Sequence, residues 1–360
     1  MYHGILLGHP LMAKCEKFVT RHKPLSHSQW ISRMQGVPEV DLDIDFYGQG
    51  HAIAILDQKM ADILGREKAL FFHKDMVGQH SVLLSRSRQS GKKRIAVHPQ
   101  SHMQVDEALA YSELLGLEAV MFGKEGYAVD EADIAALSTD LSSIVVELPT
   151  RRAGFKLPDW QVLEQLKHFS KASNIPLHFD GARLFEASCY YGKSYDEVAA
   201  MADSVYVSLY KTLGAAAGGI VAGDADFIDS LVPWRTRLGG DLFTAFPYVL
   251  TALWGLDHYL PRIPEFHQSA LSLSASIRQA FGENALPEGI QCSGFQVELP
   301  IAADLLEKKA LAIAEKEKVW LFDRIVNAGA NASRFEIQVG DALDDWTNEE
   351  LVARFVSLVE

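Results

Sequence analysis

The sequence predicts an α/β protein built on a mostly parallel sheet and followed by a smaller C-terminal α+β domain. Apolar runs typical of buried strands alternate with segments of helical periodicity over most of the 360 residues. The amphipathic segment 159–173 joins two such runs, and strands connected through a helix are parallel. We place the large domain at 41–262, the small domain at 263–360 and an N-terminal arm at 1–40.

Each predicted element has its own local signal. Apolar residues at helical spacing predict the helix 53–64, and Gly65 ends it as a C-cap. Pro158 stands at the start of the helix 159–173, where proline is favourable. The remaining elements follow from apolar runs of strand length or from helical spacing. The other predicted strands are 69–72, 95–98, 143–149, 175–179, 205–209, 219–222, 291–299, 319–322 and 335–339, and the other predicted helices are 12–19, 76–84, 106–115, 195–202, 243–260, 302–316 and 348–359.

Composition and charge disfavour several classes of protein. The formal net charge of −13 argues against a surface that binds nucleic acid or an anionic membrane. The three cysteines, Cys15, Cys189 and Cys292, are far apart and lack a metal-binding spacing, which favours reduced thiols in a cytosolic setting. We find no pattern of a signal peptide, transmembrane span or glycine-rich dinucleotide turn. We therefore expect a cytoplasmic protein that binds a small molecule and no metal ion.

Two charged residues follow buried strands in the same way. Asp180 comes at the end of the strand 175–179, and Lys211 follows the strand 205–209 before a turn of small residues. Ligands of open α/β sheets bind at the carboxyl ends of strands, so both side chains are expected to face one crevice. A lysine at a strand end is most often a surface residue. A desolvated lysine, in contrast, can form an imine with a carbonyl compound.

A lysine and a carboxylate are also what pyridoxal 5′-phosphate (PLP) chemistry needs. The lysine forms an imine with PLP, and the carboxylate keeps the pyridine nitrogen protonated so that the ring accepts electrons. The residues around the pair carry a family resemblance. Asp180-Gly181-Ala182-Arg183 and Ser208-Leu209-Tyr210-Lys211-Thr212-Leu213-Gly214-Ala215 resemble the threonine aldolase and β-eliminating lyase family, and the resemblance extends from about residue 45 to the C-terminus.

This resemblance implies the fold-type I PLP-transferase fold, with a mostly parallel seven-stranded sheet in the large domain. It also implies a homodimer or homotetramer whose active sites are shared between subunits. Three catalytic residues follow from it: Lys211 carries PLP, Asp180 binds the pyridine nitrogen, and His102 stacks on the ring. Apart from the resemblance, His102 would be an ordinary loop histidine.

The turn after the strand 69–72 is where such enzymes bind the cofactor phosphate, on N–H groups at a helix N-terminus. The family has a Ser/Thr-Gly-Thr sequence there, whereas this chain has Lys74-Asp75-Met76. An aspartate at this place repels phosphate, although it is also an ordinary N-cap residue. We predict five residues around the phosphate, namely Lys74, Asp75, Met76, Gln79 and Ser208.

The resemblance also implies a set of substrate-binding residues. Arg183 and Arg334 correspond to arginines that bind the substrate carboxylate, a task suited to a guanidinium fork. Tyr47 belongs to a segment that is similar to the family's early active-site loop. Thr150 stands where threonine aldolases have a histidine implicated in proton transfer, and threonine is not a base near neutral pH.

Together these residues predict a PLP-dependent lyase that cleaves a small β-hydroxy amino acid to glycine and an aldehyde, as threonine aldolases do. Two alternatives remain open. Thr150 and Tyr210 depart from the family pattern, which leaves room for β-elimination from a β-substituted amino acid. The phosphate turn with Asp75 leaves room for a non-catalytic homologue that binds a ligand or a partner.

Overall fold

Two compact units make up the chain. The computed structural model describes residues 4–286, 289–329 and 331–360. Leu25–Pro261 form the larger unit, and the smaller unit combines the segment up to Pro24 with the described residues after Pro261. The segment 1–40, which we predicted as one separate arm, is thus divided after Pro24.

The strands of the described chain fall into three sheets. The larger unit contains a seven-stranded sheet, and the smaller unit contains a four-stranded and a two-stranded sheet. In chain order the strands are β1 (Gly4–Ile5), β2 (Lys17–Phe18), β3 (Lys68–Phe72), β4 (Arg94–Val97), β5 (Glu118–Met121), β6 (Ser143–Glu147), β7 (Leu177–Asp180), β8 (Ser204–Ser208), β9 (Gly219–Gly223), β10 (Gly294–Leu299), β11 (Val319–Trp320), β12 (Arg324–Ala328) and β13 (Ser333–Gln338).

The seven-stranded sheet has the order β3-β9-β8-β7-β6-β4-β5. Strands β4 to β8 run parallel to one another, and β9 is antiparallel to both of its neighbours. Strands β6 to β9 are buried along their whole length, as expected for a sheet covered on both faces. This mostly parallel α/β sheet, together with the smaller antiparallel sheet, confirms the predicted fold class.

The helices pack around these sheets, and several lie where the sequence predicts them, among them His51–Ile63, Asp75–Ser90, Trp160–Ser173, Phe246–His258, Ala303–Glu317 and Asn348–Val359. The α-helices of the described chain are α1 (His27–Gln35), α2 (His51–Ile63), α3 (Asp75–Ser90), α4 (His102–Val105), α5 (Ala110–Glu113), α6 (Glu131–Ala135), α7 (Trp160–Ser173), α8 (Leu184–Tyr191), α9 (Tyr195–Ala199), α10 (Ala225–Arg237), α11 (Phe246–His258), α12 (Ile263–Phe281), α13 (Ala303–Glu317) and α14 (Asn348–Val359).

The single helix predicted at 106–115 is wrong. Within this range the chain forms only the four-residue helix α5, and the four-residue helix α4 precedes the range. Between them, Ala108 and Leu109 have φ angles of 49° and 54°. A right-handed helix cannot continue through residues in this left-handed region. Apolar residues at helical spacing thus continue across residues 106–115, although the backbone at Ala108 and Leu109 interrupts the helix.

The helix predicted at 12–19 is also wrong. Only Met12–Lys14 form a short 3-10 helix, after which Cys15 is extended, with φ −83° and ψ 149°. The following strand β2 pairs in parallel with β11, and β1 pairs antiparallel with β12. These pairings attach the start of the chain to the smaller unit. The partners are distant in sequence, so local periodicity carried no signal for them.

Two apolar clusters fix the position of α3 in the larger unit. One cluster joins Val82 of α3 to residues of β3, β8, β9 and α10. The other joins Met76 and Leu83 to residues of β4 and β6. Because burial of apolar side chains is the main stabilising contribution to a core, this packing determines where α3 begins relative to the strands.

No helix in the described part of the chain is long and apolar enough to cross a membrane.

Candidate active site

Four chemically active side chains meet at one edge of the seven-stranded sheet. Glu147 and Asp180 are the last residues of β6 and β7, and they are direct partners across the two strands. Lys211 is the third residue after β8, and His102 begins α4 after β4. The four strands run parallel, so their carboxyl ends lie at the same edge, where ligands of α/β sheets bind.

A hydrogen-bonded ion pair joins Asp180 to His102. The carboxylate Oδ2 contacts the ring Nε2 of His102, and Oδ1 accepts the backbone N–H of Ala182 at 3.3 Å. Burial on its own lowers the pKa of a histidine, but the Asp180 carboxylate raises that of His102 to about 10. Burial likewise raises the pKa of an aspartate, but protonated His102 lowers that of Asp180 to about 2. Both groups are therefore charged at neutral pH.

Glu147 connects the two loops beside this pair. Its Oε2 accepts the backbone N–H of His102 at 3.0 Å, and its Oε1 accepts that of Arg151 at 3.1 Å. The side chain is buried, and this burial raises the pKa of its carboxyl group, while the charge of His102 opposes the increase. Glu147 therefore ties the start of α4 to the turn that follows β6.

Lys211 supplies a half-buried amine at the centre of this edge. Its Nζ has no hydrogen-bond partner among the described residues, and it lies 5.6 Å from the centroid of the Tyr210 ring. Burial, followed by the charge of Arg183, lowers the pKa of Lys211 to about 8. A larger fraction of this amine is uncharged near neutral pH than for an ordinary lysine, as nucleophilic attack on a carbonyl requires.

The residues next to Lys211 are held by α8. Thr212 donates a hydrogen bond from Oγ1 to the buried Glu186 of that helix. Arg183 precedes α8 and is only 6% exposed, with its guanidinium 5.3 Å from the centroid of the Phe155 ring. Because the charge of Arg183 lowers the pKa of Lys211, the two cations act on the same part of the site.

A carboxylate lies at the start of α3, where we predicted the phosphate. Asp75 is 5% exposed, and its Oδ1 accepts the N–H of Met76 at 2.9 Å. Its Oδ2 accepts the O–H of Tyr210 at 2.8 Å, and Lys74 forms an ion pair with Oδ1. Burial raises the pKa of an aspartate, but these partners outweigh it and lower that of Asp75 below its ordinary value. Asp75 is therefore an anion in this position.

Gln79 and Ser208, the other predicted phosphate ligands, form hydrogen bonds with buried side chains of the protein. Gln79 is fully buried, and its Oε1 lies 2.9 Å from Nε2 of His178. Burial lowers the pKa of His178 to about 4, so the ring is neutral and donates this hydrogen bond. Ser208 shares a hydrogen bond of 3.0 Å with the hydroxyl of Tyr206. The Nε2 of Gln79 has no partner among the described residues.

The predicted substrate residues have different environments. Thr150 is buried, and its hydroxyl donates to the carbonyl of Glu147 at 3.2 Å. Tyr47 is 60% exposed and packs edge-on against Phe243 at 5.6 Å. Arg334 belongs to β13 of the smaller unit, where its Nε donates to Glu298 at 2.5 Å. The roles that we assigned to these three residues stay predictions.

Two features of the site were missed in the sequence. Glu147 ends a buried strand just as Asp180 does, so the same pattern of a strand followed by a charge could have found it. The contact between Tyr210 and Asp75 joins residues 135 positions apart. No local pattern announces such a contact, because it depends on how β3 and β8 are arranged in the sheet.

The sequence and structure were compared with known proteins. The model of the family described as beta-eliminating lyase matches residues 32–291. The chain belongs to this family. Its members are PLP-dependent lyases, and the family is the one that the motifs around Asp180 and Lys211 predicted.

Two solved structures and a curated relative are similar to this chain over most of its length. A candidate L-allo-threonine aldolase from Listeria monocytogenes EGD-E has a TM-score of 0.88 and 30% identity, over 97% of each chain. A candidate aromatic amino acid β-eliminating lyase/threonine aldolase from Exiguobacterium sp. 255-15 has a TM-score of 0.88 and 28% identity, over 97% of this chain and 98% of that one. Low-specificity L-threonine aldolase 1 of Arabidopsis thaliana is 25% identical over 309 residues, 83% of this chain and 84% of its own.

The residues at the sheet edge fit the reactive end of the cofactor that this family implies. Lys211 offers an amine without a hydrogen-bond partner among the described residues, with its pKa lowered to about 8. Asp180 offers a buried anion for a protonated pyridine nitrogen. At the phosphate end the chain offers the start of α3 and Lys74, but also the negative charge of Asp75.

Proposed function

We propose that this protein is a PLP-dependent lyase that cleaves a small β-hydroxy amino acid to glycine and an aldehyde, in the manner of the low-specificity threonine aldolases it resembles. The single observation that carries the proposal is the environment of Lys211. This amine is half-buried, its pKa is lowered to about 8, and it lies at the same sheet edge as the buried Asp180. The family assignment and the names of the relatives support the same activity.

Each residue of the site has a role in this proposal. PLP, when bound, supplies a protonated pyridine ring that accepts the electrons of the bond broken at Cα. Lys211 binds the cofactor aldehyde, and the Asp180 carboxylate keeps the pyridine nitrogen protonated. His102 lies against Asp180 and maintains its negative charge. Arg183 supplies positive charge for the substrate carboxylate, which orients the scissile bond.

An absorbance titration of the purified protein with PLP tests the proposal. We expect a visible band that borohydride reduction fixes covalently, and peptide mapping that places the label on Lys211. Lys211→Ala removes the band, whereas Lys171→Ala, which changes an exposed lysine on α7, leaves it intact. Labelling elsewhere, or an equal band in Lys211→Ala, would overturn the assignment.

One observation favours β-elimination as the second candidate. The hydroxyl of Thr150 donates to the carbonyl of Glu147, and a threonine hydroxyl is not a base near neutral pH, so Thr150 does not take the proton of a substrate hydroxyl. A β-elimination breaks Cα–H and expels a β-substituent, and one water molecule then hydrolyses the remaining unsaturated amine to ammonia and a 2-oxo acid. Incubation with L-threonine, L-allo-threonine and a β-substituted alanine separates the two reactions, since only retro-aldol cleavage yields glycine and an aldehyde.

We also propose that the protein assembles as a homodimer or homotetramer and that it is cytoplasmic. Exposed aromatic side chains in the larger unit support assembly, since Tyr47 is 60% and Phe243 61% exposed. The side chains of Cys15, Cys189 and Cys292 are thiols and not disulfides, which supports a reducing compartment. Sedimentation analysis of the purified protein tests the assembly, and a mass equal to one chain at micromolar concentration would contradict it.

A further inference from the structure

The start of α3 carries an anion of the protein itself. Oδ1 of Asp75 accepts the N–H of Met76 at 2.9 Å and pairs with Lys74, and Oδ2 accepts the hydroxyl of Tyr210 at 2.8 Å. The carboxylate is thus bound by a backbone N–H, an ammonium group and a hydroxyl. A carboxylate that is 5% exposed needs such donors, because burial without them would neutralise it.

The same donors are the ones that a phosphate group would use. Phosphates bind at helix N-termini because free N–H groups and the positive end of the helix dipole point at them. Here α3 runs for 16 residues from Asp75, and the N–H of Met76 in its first turn is taken by the Asp75 carboxylate. The nearest cation, Lys74, is paired with the same carboxylate.

We propose that the Asp75 carboxylate occupies the position that receives the phosphate of a phosphorylated pyridine aldehyde and discriminates against that phosphate. This inference rests on the proposed function, since it assumes that the aldehyde group of the ligand reacts with Lys211. A phosphate monoester carries a charge of about −1.5 to −2 near neutral pH. It cannot take over the donors until Asp75 moves away, and the two anions repel each other at short range.

An unphosphorylated aldehyde meets no such obstacle. The hydroxymethyl group of pyridoxal, which replaces the phosphate ester, can donate a hydrogen bond to the Asp75 carboxylate without displacing it. Both aldehydes condense with the Lys211 amine with loss of one water molecule, so their chemistry at that end is the same. The ratio of their affinities therefore reports the contribution of the phosphate group, and the change of this ratio on substitution of Asp75 isolates the effect of that carboxylate.

The test compares PLP and pyridoxal binding by absorbance titration of protein freed of aldehyde with hydroxylamine. Asp75→Thr introduces a neutral hydroxyl, and Asp75→Asn keeps the shape of the side chain without its charge. Asp226→Asn is the matched control, because it removes one exposed carboxylate from the first turn of α10. Melting temperatures verify that each variant is folded, and competition of inorganic phosphate with PLP probes the anion position with a ligand that does not itself react at Lys211.

We expect PLP to bind both Asp75 variants about tenfold or more tightly than the wild type, since removing a charge near a dianion removes a large repulsion. Pyridoxal should bind Asp75→Thr and the wild type with Kd values within about twofold of each other. Inorganic phosphate should compete with PLP at lower concentration in Asp75→Thr. Equal or weaker PLP binding by the two Asp75 variants, with pyridoxal binding retained, would overturn the inference.

The outcome also separates this inference from the proposed function. If neither PLP nor pyridoxal gives a visible band in any variant, Lys211 does not react with the aldehyde and the proposed function fails. If both bands form and the ratio of their Kd values is the same in wild type and Asp75→Thr, only the discrimination by Asp75 fails.

Discussion

Asp180 Oδ2 and His102 Nε2 are hydrogen-bonded at the edge of the seven-stranded sheet, where they form a buried ion pair. The carboxylate comes from the end of β7, and the imidazole comes from the start of α4. Each group holds the other in its charged form, with the pKa of His102 raised to about 10 and that of Asp180 lowered to about 2. Asp180 is therefore an anion at neutral pH.

His102→Gln should make the protein less stable in a way that depends on pH. The folded-state pKa of His102 is raised from 6.5 to about 10, so its contribution is complete below pH 6.5 and is lost as the pH rises through about 10. We expect the variant to be less stable by about 1–3 kcal/mol near pH 6 and the difference to shrink towards pH 10. Urea unfolding at both pH values measures this, with exposed His51→Gln as control. A difference that is independent of pH would contradict the ion pair.

Arg183→Gln should shift the pH at which Lys211 reacts. Burial and the neighbouring guanidinium lower the pKa of Lys211 to about 8, so reaction with an aldehyde should increase with pH around a midpoint near 8 in the wild type. Loss of the guanidinium charge should move the midpoint to higher pH. Reductive labelling with a small aldehyde, followed by peptide mapping, gives the midpoint, and exposed Arg88→Gln should leave it unchanged. A midpoint that does not move in Arg183→Gln would show that the two cations are uncoupled.

Glu147→Gln should loosen the loops beside the ion pair. The carboxylate accepts backbone N–H groups of His102 and Arg151 at 3.0 and 3.1 Å, whereas an amide offers only one oxygen for two donors. We expect a loss of about 1–3 kcal/mol in the free energy of unfolding. The exposed Glu118→Gln at the start of β5 is the matched control, expected within about 0.5 kcal/mol of the wild type. Equal stability of both variants would show that the two N–H groups find other acceptors.

Gly255→Ala should disturb the turn that carries Lys211. A Cβ atom at position 255 would overlap the carbonyl oxygen of Leu213, two residues after Lys211. Since that neighbour is backbone, relief requires movement of the turn or of α11, at a cost of about 1–3 kcal/mol. At Gly36, after α1, the nearest atom would be 3.4 Å away, so Gly36→Ala should change stability by less than about 1 kcal/mol. Thermal unfolding compares the two variants. A Gly255→Ala variant as stable as the wild type would show that the turn is free to move.

Much of the fold could be predicted because its signals are local. Runs of apolar residues predicted the buried strands β6 to β9. Apolar residues at helical spacing, together with residues typical of helix ends, predicted α2 and α7. Other elements depend on backbone geometry or distant partners. The left-handed Ala108 and Leu109 break a segment whose apolar spacing continues, and β2 exists because β11 pairs with it.

The sequence by itself determined that an aspartate and a lysine follow buried strands. At Asp180 and at Lys211 the strand, the charged residue and the turn are adjacent in the sequence, so the pattern can be recognised without knowledge of the fold. The tertiary structure alone decided what surrounds them. The neighbouring positions of β6 and β7 place Glu147 beside Asp180. The packing of α3 brings Asp75 to the hydroxyl of Tyr210. Burial then sets the charges of these groups, because a pKa depends on neighbours in space and on the loss of solvent, neither of which a linear sequence contains.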